Sequence, residues 1–398
     1  MQASAASSRS KSGASVGAVP VSDRRLTVFY PMAGDTMGGS HVSLLGLLEG
    51  LDPANVRIIV GLEVPDGRLA EHYSAFEQVS DPAPPKTPFK AGEPFGIKSA
   101  LSTLTGLRQR CAFLKENDID IVHTNDGRTH ATWALATKLA NKKLLWHHRG
   151  NPNARGSRHV ARWLADRIIT VSSFAMPTQE LVASGKARVV HSPFDVSISV
   201  DRELARKRIC NEFGLAEDTI ICGYFGTFID RKRPLAFVDA VVELSKLTSR
   251  PVKGLLFGEA TNEIEALSIA GKIAESKGLA LDVGYRSPGH EWMSGCDLLL
   301  VPAIDEPLGR TLVEAMLVGT PVVATNSGGN PEALAGECGV LVPDLKAQTM
   351  AEAAIQLLND DERRHSMLER AKRVSREKFS RERHVNEVLE VYRELIAR

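Results

Sequence analysis

Apolar residues along this chain fall into two alternating patterns. Short, nearly continuous apolar runs recur at Leu26–Tyr30, Val56–Gly61, Ile119–His123, Leu144–His148, Arg167–Ser172 and Arg188–His191. Between them apolar positions return at helical spacing, over Ser40–Leu51, Ile97–Glu116 and Thr129–Ala140. Runs of the first kind suit strands buried on both faces of a parallel sheet. Their alternation with helices predicts an α/β, doubly wound parallel sheet. The rhythm stops at Ser192-Pro193-Phe194-Asp195 and starts again at Ile220–Gly226. It continues through Val252–Gly258, Leu281–Tyr285, Asp297–Pro302, Pro321–Ala324 and Val340–Pro343. Two domains of similar size are therefore predicted, 23–192 and 193–379, with a linker near 193–200. A last amphipathic helix over 380–398 carries Val385, Val388, Leu389, Val391, Tyr392 and Leu395 on one face.

Two segments break the pattern. Asp81–Pro94 holds Pro82, Pro84, Pro85, Pro88 and Pro94 and reads as a long surface loop. Residues 1–22 are rich in Ala, Ser and Gly without the apolar core of a signal peptide, and read as a disordered tail.

The length of 398 residues agrees with two domains, and a net charge of +1 is ordinary. The balance conceals an asymmetry. Residues 1–192 hold 23 Lys+Arg against 16 Asp+Glu, whereas residues 193–398 hold 26 against 32. A basic first half suits an anionic partner, a phospholipid surface or an anionic lipid-linked acceptor. Chance asymmetry with no partner is the other reading. Nucleic acid fits poorly, since no recognition motif occurs and aromatics are 6%. Asn153–Ile168, with Arg155, Arg158, Arg162, Arg167 and Trp163, reads either as a helix lying on an anionic membrane or as a solvated helix packed by its Trp. The five cysteines are scattered, which argues against a disulfide framework or zinc site and for a reducing compartment. A cytoplasmic location follows, with the inner membrane face as the surface the first half would meet. No stretch of about 20 apolar residues is present to span a bilayer.

The chemistry concentrates in Asp305-Glu306-Pro307-Leu308-Gly309-Arg310-Thr311-Leu312-Val313-Glu314. Pro307 and Gly309 keep Glu306 in a loop. Leu312, Val313, Met316 and Leu317 recur at helical spacing, so Glu314 lies inside a helix. Between the two glutamates, the amides of Gly309, Arg310 and Thr311 project from a helix N-terminus, a natural phosphate site. Two carboxylates that accept sugar hydroxyls thus flank an anion site, as a sugar joined to a diphosphate requires. Gly38-Gly39-Ser40, after the first strand, lets backbone approach a ligand closely. Asp230-Arg231-Lys232-Arg233, after Gly226, supplies cations suited to a departing diphosphate. His123, His147, His148 and Arg149 stand at strand ends in the first half.

From Leu26 onward, and most specifically from Leu279 to Pro343, the chain resembles the retaining glycosyltransferases of family 4, which have the GT-B fold of two Rossmann-like domains facing a cleft. The resemblance implies transfer of a sugar from a nucleoside-diphosphate sugar to a glycan or lipid-linked acceptor. It implies no cofactor and no required metal, and no Asp-x-Asp site in a matching context occurs. Glu306, Lys232 and His148 take the catalytic positions, with His148 beside the donor sugar. Gly38, Gly39, Ser40, Arg231, Tyr285, Arg286, Leu308, Gly309, Arg310, Thr311 and Glu314 complete the implied donor site. Arg149 falls on the acceptor side, His123 in a structural place, and His147 in packing. The chain departs from the family at Thr227, where an Arg is usual; Arg231 is the available substitute. The final helix resembles the one that crosses back to the first domain. A catalytically silent nucleotide-sugar-binding protein, or another GT-B enzyme such as a sugar-nucleotide epimerase, remains the alternative.

Overall fold

A computed structural model describes residues 24–84, 104–153 and 162–397. Among them two sheets form, both wholly parallel. The first runs β3-β2-β1-β4-β5-β6-β7 and the second β10-β9-β8-β11-β12-β13. Strands β1 (Leu26–Pro31), β2 (Val56–Leu62), β3 (Glu77–Ser80), β4 (Ile121–Thr124), β5 (Lys143–His148), β6 (Arg167–Thr170) and β7 (Ala187–Val189) build the first. Strands β8 (Ile220–Phe225), β9 (Val252–Phe257), β10 (Ala280–Asp282), β11 (Leu298–Val301), β12 (Val322–Thr325) and β13 (Val340–Val342) build the second. The apolar runs became strands because both faces are covered: every residue of β1 and of β4 is buried.

The sequence pattern did not reveal β3. It is an edge strand, Glu-Gln-Val-Ser, partly or fully exposed throughout. A strand wetted on both faces has no apolar run to betray it. The residues of the predicted tail, most of the Pro-rich loop and the centre of the Arg-rich stretch, with Arg155 and Arg158, lie outside the described residues.

In both sheets the strand order reverses beside the first strand, between β1 and β4 and between β8 and β11. Such a switch point opens a crevice at the carboxyl ends of the strands. The loop carrying Gly38 and Gly39 follows β1, the Arg231–Arg233 loop follows β8, and the Glu306 loop follows β11. The three glycine-rich or charged loops singled out from the sequence thus all open at switch points.

The chain crosses between the domains twice, and the crossings lie side by side. Phe194 bridges Ser380, with the Phe194 amide donating to the Phe379 carbonyl at 2.9 Å. Past this hinge the helix Arg381–Ile396 returns to the first domain. Its Val385, Val388, Leu389, Val391, Tyr392 and Leu395 join one core cluster with Leu26, Val28, Tyr30, Leu44 and Val60. The last helix thus completes the first-domain core and ends at Ile396.

Candidate active site

The Glu306 loop owes its shape to backbone-on-backbone contact. Gly309 adopts φ +62° and opens the helix Arg310–Val318. Gly328 and Gly329 pack against the Glu306–Pro307 backbone, and a Cβ on Gly328 would lie 2.6 Å from the Glu306 amide nitrogen. The Gly329 amide donates to the Glu306 carbonyl at 2.7 Å. From Asn330 the side-chain amide holds the Thr325 carbonyl at 3.1 Å. With the loop so fixed, the amides of Gly309, Arg310 and Thr311 take no backbone partner among the described residues. The helix mouth is open to an anion.

Around that mouth the predicted residues divide into those gathered and those turned elsewhere. Arg231 pairs with the Glu306 carboxylate, and its carbonyl accepts from the Ile304 amide at 2.8 Å, so the two loops are joined. The Lys232 ammonium lies over Gly226, 2.8 Å from where a Cβ would stand, with no ion-pair partner among the described residues. It is a cation held ready at the end of β8. Arg233 is diverted: it donates to the Pro302 and Leu345 carbonyls. Glu314, one turn into its helix, is half-buried and meets Arg310 at 3.5 Å. Leu308 is buried beneath the loop.

Arg310 presents its amide to the mouth while its side chain leaves for the first domain. One nitrogen donates to the Ser43 hydroxyl at 2.7 Å and to the Pro193 carbonyl at 3.3 Å. Gly38 and Gly39 stand exposed opposite, and a Cβ on Gly39 would meet the Arg310 Cδ at 3.0 Å. The Ser40 carbonyl is held by Asn125. Tyr285, 66% exposed, follows β10 at the flank of the second sheet. Arg286 turns to Glu212 at 3.2 Å and towards Trp292 rather than to the other site residues.

On the first-domain side His148 ends β5. Its Nε2 is 3.3 Å from the Asn151 carbonyl, and burial pushes its pKa down to about 4, so the ring is neutral. Arg149 is held by side chains of the first domain. Its guanidinium is engaged by Asn125, Ser192 and His147 at 2.9, 3.2 and 3.0 Å, and burial followed by the charge of Arg310 lowers its pKa to about 9. His147 stacks between His123 and His384.

A second seam joins the domains at residues that the sequence reading did not single out. Ser172 donates to the Pro307 carbonyl, and the Ser173 amide donates to Glu332 at 2.7 Å. His191 is 2.8 Å from the other Glu332 oxygen. Burial would raise the Glu332 carboxyl, but hydrogen bonds from His191 and Ser173 hold it below its usual value. A lone serine after a strand carries no sequence signal.

Comparison with known proteins agrees with this geometry. The family model for glycosyl transferases group 1 matches residues 205–374, and that for glycosyltransferase family 4 matches residues 37–198. A D-inositol 3-phosphate glycosyltransferase of Jonesia denitrificans is 30% identical over 363 residues, 83% of this chain and 82% of that protein. The chain belongs to the group 1 glycosyltransferases. As an enzyme this glycosyltransferase falls among the hexosyltransferases, EC 2.4. An N-acetyl-alpha-D-glucosaminyl L-malate synthase of Bacillus anthracis is 28% identical over 296 residues, 71% of this chain and 76% of its own. The crystal structure of Anabaena Alr3699/HepE in complex with UDP-glucose superposes with a TM-score of 0.75 at 19% identity, covering 93% of this chain and 100% of that one. The GT-B fold is thereby established, and sugar transfer from a nucleotide sugar is the supported reaction.

Proposed function

We propose that this glycosyltransferase moves a sugar from a nucleoside diphosphate to a glycan or lipid-linked acceptor on the first domain, with retention of anomeric configuration. The observation that carries the reading is the open helix mouth at Gly309–Thr311, with Glu306 and Glu314 to either side and Lys232 close by. Glu314 accepts the ribose hydroxyls and Glu306, neutralised by Arg231, accepts hydroxyls of the sugar. Lys232 and the open amides stabilise charge as it grows on the leaving diphosphate. These fixed cations and dipoles do the work without a required metal. His148, neutral, orients the sugar near the reacting carbon. The UDP-glucose held by the Anabaena structure supports a donor of this class.

The reading extends to an anionic surface. No helix among the described residues is long and apolar enough to cross a membrane, whereas the first half of the chain carries the positive excess. That half would dock the acceptor from a membrane face.

The decisive experiment is thermal stabilisation by UDP-, GDP- and ADP-sugars in the presence of EDTA. A ligand at about 100 times its dissociation constant adds about 2.7 kcal/mol. One donor class should stabilise the protein and, with acceptor, release free nucleoside diphosphate and give a product of unchanged anomeric configuration. No stabilisation by any of the three would sink the donor assignment. Vesicle flotation tests the surface: binding to anionic vesicles should fall with salt, since exposed charges are screened over about 8 Å at physiological ionic strength. Absence of binding at low salt would leave a soluble acceptor.

A further inference from the structure

Arg310 is the residue whose two ends face different tasks. Its amide belongs to the helix mouth, where the diphosphate reading places the anion. Its guanidinium sits at the hinge and against the first domain. The charged carbon stacks 4.1 Å from the centre of the Phe194 ring, at the crossing between domains. The Pro193 carbonyl accepts from the same group at 3.3 Å, and Ser43, on the first-domain helix Gly39–Leu48, accepts at 2.7 Å. Ser43 is 1% exposed, so its hydroxyl is dry and fixed. The side-chain stem lies against Gly39, where a Cβ would crowd it at 3.0 Å. Its remaining contact is Glu314 at 3.5 Å. One planar side chain therefore touches the hinge, the glycine loop, the first-domain helix and the glutamate of its own helix. A planar guanidinium has enough donors for this, whereas an ammonium cannot both stack and fork.

We propose that Arg310 is a positioning residue that ties the diphosphate-binding end of its helix to the interdomain hinge, so that the diphosphate sets how firmly the two domains hold together. The inference rests on the donor reading above and goes beyond it. A nucleoside without phosphates touches only the second domain and leaves the hinge as it was. A diphosphate at the open amides fixes the Arg310 backbone, and the fixed backbone holds the guanidinium on Phe194 and Ser43. The contact between the Gly38–Gly39 loop and the Arg310 stem is then coupled to occupancy by one residue.

The test compares wild type with Arg310→Met, Arg310→Lys and Ser43→Ala. The probes are UDP, GDP and ADP and the corresponding free nucleosides, with affinity read by calorimetry and domain separation by small-angle X-ray scattering. In wild type, one diphosphate should bind and narrow the distribution of domain separations, and its nucleoside should not. Arg310→Met should lose about tenfold in diphosphate affinity, keep its nucleoside affinity and lose the narrowing. Its kcat should fall more than its KM rises. Arg310→Lys should recover only part of the loss, because charge returns without the planar stack. An Arg310→Met protein that binds the diphosphate and compacts like wild type would overturn the inference while leaving the donor reading intact. Wild type that binds none of the three diphosphates overturns the donor reading, and the inference with it. Should Arg310→Met not fold, Ser43→Ala answers from the other domain: diphosphate affinity and compaction equal to wild type would refute the coupling, and a partial loss of both would support it.

Discussion

Glu314 holds its place because the helix that carries it starts at Gly309, whose left-handed backbone aims the first turn at the cleft. If Glu314 accepts the ribose hydroxyls as proposed, Glu314→Ala should weaken nucleoside diphosphate binding by about 1.5–3 kcal/mol. Calorimetry checks it, and unchanged affinity would dismiss the assignment. Lys232 differs, for its ammonium has no ion-pair partner among the described residues. Lys232→Ala should lower kcat more than it raises the donor KM, since charge on the diphosphate is greatest as the glycosidic bond breaks. Steady-state kinetics with the preferred donor would show the split; wild-type turnover would exclude Lys232, with Arg231 already committed to Glu306 and Arg233 turned away. Glu306, Glu314 and Lys232 could be singled out in the sequence because proline, glycine and carboxylate spacing are local properties. The strand-end position of Arg149 was local in the same way, but its partners, Asn125 and Ser192, come from elsewhere in the fold. Ser43 and Ser172 carried no signal for the same reason, since their partners Arg310 and Pro307 lie in the other domain.

At the level of elements, the returning helix Arg381–Ile396 is held by more than apolar contact. The Tyr392 hydroxyl lies 2.7 Å from that of Tyr30 and 2.7 Å from His123 Nδ1, all three side chains buried. His384 donates from Nδ1 to the His191 carbonyl at 2.6 Å. Tyr392→Phe keeps the ring and strands two buried polar groups, so it should cost about 1–3 kcal/mol. Urea unfolding measures this, and a loss below 0.5 kcal/mol, roughly the noise of surface substitutions, would mean that water replaces the hydroxyl. The amphipathic pattern of this helix was legible, since Val385, Val388, Leu389 and Tyr392 repeat at its spacing. Its polar anchors were not. Hydrogen bonds between residues 269 and 362 positions apart leave no periodic trace. Both sheets could be read for the converse reason: strands buried on two faces write themselves as apolar runs, and only the wet edge strand β3 did not.

Across the whole molecule, a set of buried histidines makes stability depend on pH. Burial, and for His123, His147 and His384 the nearby charge of Arg149, depress the pKa values of His41, His123, His147, His148 and His384, to about 4 for His148 and about 3 for His384. The unfolded chain titrates these rings near 6.5, so below that pH it binds protons that the folded protein refuses. Stability is therefore fully present above about pH 7 and declines as pH falls from about 6.5 towards the depressed folded values. Each ring contributes up to about 1.4 kcal/mol per pH unit. The urea midpoint should drop steeply between about pH 6.5 and 5, and a flat midpoint there would show that these rings take up protons while folded. The returning helix also has a consequence for synthesis. The first domain leaves the ribosome first, yet its core lacks one wall until the residues near Tyr392 have been translated. At about 5–20 residues per second, some ten to forty seconds separate the emergence of β7 from that of the missing helix. During that interval a nascent first domain offers Leu26, Val28 and Leu44 to whatever chaperone attends the ribosome, while the second domain, encoded later, has all its own strands and can close before it.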